Sequence, residues 1–145
     1  MYIDINILYI KTYTMKTITI IVQFLLGLIF LVFGLNGFLH FLSMPAPTGI
    51  AAQFMGALFV SHYLAAIFLI QVVSAVLLLV NRYVPLALTL LAPIIFNILL
   101  FHILMAPGGL PLALVVTVLW IVVFLTAQSA FRGLWQTRID TEIAK

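Results

Sequence analysis

Between Lys16 and Arg82, and again between Arg82 and Arg132, the chain carries no Asp, Glu, Lys or Arg. Charge-free runs of that length are not the core of a water-soluble domain, in which about a quarter of residues are charged. Of the 145 residues, 66% are hydrophobic and 6% charged, and the mean hydropathy is +1.37. In hydrocarbon each ionised side chain costs several kcal/mol, so such runs are material for a bilayer. The lipid bilayer is therefore the first expected partner.

Turn signals cut the apolar sequence into four pieces, predicted as helices over about 18–42, 57–80, 84–105 and 110–131. Ser43-Met44-Pro45-Ala46-Pro47 ends the first and Asn81-Arg82-Tyr83 ends the second. Pro85 falls in the first turn of the third, where a missing N–H does no harm. Pro107-Gly108-Gly109 separates the third from the fourth, which Pro111 opens. Each piece has enough residues to cross roughly 30 Å of hydrocarbon as a helix. The runs are too long, and too uniform in polarity, for barrel strands. The expected fold is all-α, an antiparallel four-transmembrane-helix bundle over 17–134. It is flanked by a cytoplasmic segment, 1–16, and a cytoplasmic tail, 135–145.

Charge placement gives an orientation. Lys11 and Lys16 precede the first span, Arg82 lies in the second connection, and Arg132, Arg138 and Lys145 follow the fourth. The opposite connections, 43–56 and 106–109, carry no charge. The positive-inside rule then puts both termini in the cytoplasm. The net charge of +3 is spread singly over segment ends, which fits orientation and not a nucleic-acid surface. Lys16 before an apolar run has the look of a signal peptide, but the run is longer than an h-region and no small-x-small site follows. Met15-Lys16 reads as a natural start, with 1–14 an upstream extension. Cysteine is absent, which removes disulfides, Cys-ligated metals and thiol chemistry.

Polar residues inside the spans are the candidate functional groups, because an amide or imidazole facing lipid lacks partners. Asn36 and His40 of the first span lie about 40° apart on one helix face. His62 opens the second span, and Gln71 sits in its middle. Asn97 and His102 lie in the third, separated by about 140° unless Pro93 changes the helix. All three histidines fall toward the uncharged end. The segment Asn36–Pro45 also repeats in outline at Asn97–Pro107, with Asn, His, Leu, Met and Pro in order. Such a pattern suggests a duplicated hairpin that places the first and third spans diagonally. Gln23, Gly27 and Gly34 form a separate stripe, suited to close contact with a neighbouring helix or with a second copy of the chain.

Asn36, His40, His62, Gln71, Asn97 and His102 admit several readings. They can bridge helices and fix register. They can cradle a quinone or another small neutral head group. Haem between His40 and His102, or zinc on the three histidines, lacks an acidic residue to orient the rings. Ion-coupled transport and Ser-His-Asp hydrolysis both require an intramembrane carboxylate, and none is present between Asp4 and Asp140.

Phe24–Phe41 (FLLGLIFLVFGLNGFLHF), Gln53–Leu58 (QFMGAL), Asn81–Leu88 (NRYVPLAL) and Ala92–Leu114 (APIIFNILLFHILMAPGGLPLAL) resemble the DoxX family of small bacterial membrane proteins. The resemblance covers nearly all of 17–134, and its most specific part is Asn97…His102…Ala106-Pro107. It implies four transmembrane helices in the bacterial cytoplasmic membrane. It also implies a link to redox or oxidative-stress assemblies that use quinones, with membrane or redox proteins as partners. The family pattern has Glu at the places of Gln71 and Trp120, and charged groups near Gln128-Ser129. This chain departs from it there and keeps Asn36, His40, Asn97 and His102.

Overall fold

The computed structural model describes the backbone of residues 5–135 and the side chains of 15–132. Five helices follow one another: α1 (Ile5–Leu39), α2 (Gly49–Val60), α3 (Tyr63–Leu79), α4 (Val84–Leu104) and α5 (Leu110–Ala127). Short 3-10 turns occupy Pro107–Gly109 and Gln128–Trp135, and no strand occurs among the described residues. The reason is solvation: without water, each backbone amide must find its partner inside its own segment. Met15–Leu39, Val84–Leu104 and Pro107–Arg132 are each long and apolar enough to cross a membrane. The chain is a multi-pass helical membrane protein.

The region expected as one helix over 57–80 is built differently. Helix α2 begins inside the stretch expected to be a connection, and it meets α3 at an angle of 83°. Ser61 and His62 form the elbow, with His62 in the left-handed region at φ 59°. There the Ser61 amide closes α2 on the Ala57 carbonyl at 3.1 Å, while the His62 carbonyl accepts from Ala65 at 3.1 Å. The first helix is also displaced from its expected bounds. It starts at Ile5 and stops at Leu39, because His40 turns left-handed at φ 51°. Residues 1–4 and 136–145 lie outside the described part, including most of the expected tail.

Helices α1, α3, α4 and α5 pack as a ring, with α1 beside α3 and α5, and α4 beside the same two. Helices α1 and α4 are thus diagonal. The core is aliphatic: Leu26 and Phe30 of α1 meet Ala75 and Leu78 of α3, Leu88 and Leu91 of α4, and Val116 and Val123 of α5. Small residues allow the α1–α3 approach. A Cβ on Gly27 would stand 3.0 Å from Leu79, one on Gly34 would stand 2.9 Å from Val72, and one on Gly37 would overlap the Phe68 ring. The Gly27–Gly34 stripe is therefore filled from within the chain. It is not the surface for a second copy that the sequence also allowed.

Candidate functional site

The polar residues of the spans sort into three levels along the bundle. At the uncharged end they act locally. The Asn36 Oδ1 accepts from the Leu42 amide at 2.6 Å, and the Asn36 carbonyl accepts from the His40 amide at 2.9 Å. Leu42 lies past the end of α1, where no helical carbonyl receives its amide, and the Asn36 side chain supplies the acceptor. His40 is the left-handed residue that makes this reversal, and its side chain is exposed.

Asn97 behaves otherwise. Its Nδ2 donates back to the Pro93 carbonyl at 2.8 Å, one turn earlier on α4, and the residue is exposed. His102 turns toward the end of its own helix. Its Nδ1 lies 2.8 Å from the Ala106 carbonyl, and a carbonyl only accepts, so this nitrogen carries the proton. The other ring nitrogen, Nε2, makes no hydrogen bond to any described residue. The ring packs over Gly109, where a Cβ would overlap it, and meets Phe101 edge-on at 5.2 Å. The two segments that look duplicated in sequence thus differ in structure: Asn36 bonds forward across a turn, Asn97 bonds backward within a helix, and only His40 leaves its helix.

No hydrogen bond or ring contact joins His40, His62 and His102 among the described residues, and no group of three or more His, Asp or Glu side chains is placed to hold a metal there. His62 is exposed at the α2–α3 elbow. Helix α2 reaches over to α4 through Phe54, whose ring lies 6.0 Å from that of Phe101.

At mid-height the situation reverses. Gln71 is 6% exposed and Ser74, one turn further on α3, is fully buried. The Ser74 hydroxyl has no partner, and the Gln71 amide makes no hydrogen bond to any described residue. The Gln71 Cβ would stand 3.2 Å from a Cβ on Gly34, so its stem is wedged against α1. Unpaired polar groups at this depth are costly.

The basic end carries a pair that periodicity did not reveal. Gln23 Nε2 donates to the Leu78 carbonyl at 2.8 Å and to Asn81 Oδ1 at 3.0 Å. Gln23 was legible as part of the glycine stripe, whereas Asn81 read only as a turn residue. Trp120, on α5, donates from Nε1 to the Leu88 carbonyl of α4 at 3.0 Å. Both contacts tie neighbouring helices together.

No family model, curated protein or solved structure matches the chain.

Proposed function

We propose that the protein holds a neutral, lipid-like molecule between α1, α3 and α4 at the uncharged end of the bundle. The observation that supports this reading is where burial stops. On α1 the last buried residue is Gly34, on α3 the first is Gln71, and on α4 the last is Ile95. Beyond that level these three helices are half-buried or exposed, while α5 stays buried at Ala113 and Val116 and the crosswise α2 buries Ala51. Gln71 stands at the boundary with an unpaired amide, which offers both a donor and an acceptor to a ligand head group. No ionised group lies near, so a neutral molecule is the matching chemistry.

The resemblance to DoxX proteins supports a narrower form of the proposal. The molecule would be an isoprenoid quinone or quinol, and the bundle an accessory subunit of a redox-linked assembly in the bacterial cytoplasmic membrane. Both termini would then be cytoplasmic and the uncharged end outward. His102 offers Nε2, which has no partner among the described residues, to a hydroxyl or carbonyl of such a head group.

Mass spectrometry of a lipid extract from the purified full chain tests this. A neutral lipid or quinone should co-purify with the wild type and fall in Gln71→Leu and in His102→Ala. Equal occupancy in all three proteins, or no neutral lipid in any, would sink the proposal.

A further inference from the structure

At the opposite end of the bundle, where α5 gives way to the 3-10 turn, a cavity of about 520 Å³ is lined by Phe124, Thr126, Gln128, Ser129, Phe131 and Arg132. Its wall is aromatic. Trp120 stacks on Phe124 with ring centroids 5.0 Å apart and planes at 10°, and Phe124 meets Phe131 at 5.0 Å. Its rim is polar. The Thr126 hydroxyl is committed to the Val123 carbonyl at 2.7 Å, which leaves Gln128, Ser129 and Arg132 free of hydrogen bonds among the described residues.

Arg132 is exposed, and the acidic residues of the chain are Asp4, Asp140 and Glu142. A guanidinium presents a fork of donors that fits phosphate oxygens in pairs. An amide and a hydroxyl beside it can bind further oxygens of the same head group. The aromatic wall asks for something different, an acyl chain, and a free anion would leave it unfilled.

We infer that this cavity binds the phosphate head group of an anionic phospholipid, with an acyl chain lying against Phe124 and the exposed Leu125 of the same lining. The site shares no residue with the uncharged end and does not depend on what binds there. Basic pockets at membrane protein ends recognise phosphorylated head groups through the same chemistry.

Native mass spectrometry of the full chain in detergent, titrated with phosphatidylglycerol or phosphatidylcholine of matched chains, decides the matter. Phosphatidylglycerol should bind roughly fivefold more tightly, the value of one interfacial cation toward an anionic head. Arg132→Gln should abolish that preference. Arg132→Lys should keep part of it, and Arg82→Gln, which removes a basic group of the same end outside the cavity, should keep all of it. Inorganic phosphate at millimolar concentration should leave the adduct in place. Equal binding of the two lipids by the wild type, the same loss in Arg82→Gln as in Arg132→Gln, or displacement by inorganic phosphate would overturn the proposal. Arg132 is exposed, so these variants leave the core intact, and circular dichroism verifies their helicity.

Discussion

Gln23 and Asn81 are 58 residues apart in sequence, yet the Gln23 amide reaches the Asn81 side-chain oxygen at 3.0 Å while also holding the Leu78 carbonyl. One side chain of α1 thereby fastens the C-terminal end of α3 and the turn that leads into α4. That turn needs fastening, since Asn81 and Tyr83 are both left-handed, at φ 52° and 54°.

Replacing Gln23 with Leu should destabilise the bundle by about 1 kcal/mol, the scale of an interhelical hydrogen bond in a membrane. Asn81→Gly keeps the turn geometry and removes only the acceptor. A double-mutant cycle between the two, followed by chemical denaturation in detergent micelles, should return a coupling energy of about 0.6–1.7 kcal/mol. Strict additivity would show that the pair is not an energetic unit.

Gly37 should be far less tolerant than Gly56. A Cβ at position 37 overlaps the Phe68 ring, whereas one at position 56 meets nothing within 4 Å. Gly37→Ala is expected to cost about 1–3 kcal/mol through overpacking, and Gly56→Ala to gain up to about 1 kcal/mol through helix propensity. Adding Phe68→Leu should recover part of the Gly37→Ala loss. Equal thermal midpoints for the two alanine variants would contradict the packing described.

His62 gives a test of whether the elbow is a backbone feature. At φ 59° an L residue bears a local steric penalty that glycine avoids. His62→Gly should therefore keep the thermal midpoint of the wild type. His62→Val, β-branched at a positive φ, should lower it measurably. If both variants melted equally low, the imidazole itself would be holding the elbow.

The helical class and the membrane spans were legible because lipid imposes them: a chain without charge from Lys16 to Arg82 has few other options. The elbow was not legible. Ser61 and His62 include neither Gly nor Pro, so nothing local marks a break inside an otherwise apolar run. The fate of the candidate polar residues was hidden for a related reason. Asn36 and Asn97 look alike in sequence, but the turn at His40 sends one amide forward to Leu42, and the intact helix sends the other back to Pro93. Turn geometry, not helical periodicity, separates them. Gln71 was legible as a polar residue in the middle of its span. That it lacks a partner depends on where packing against Gly34 ends, which is a property of two helices together.

The elbow at Ser61-His62 leaves α3 with 17 residues, a height of about 25 Å at about 1.5 Å per residue. That falls short of the hydrocarbon thickness of an average bilayer, about 30 Å. Helix α2 runs crosswise at this corner and adds no height. A span this short is met by local thinning of the bilayer, by flanking polar side chains reaching for the interface, or by association with a neighbour, and it is on this flank that such a mismatch falls.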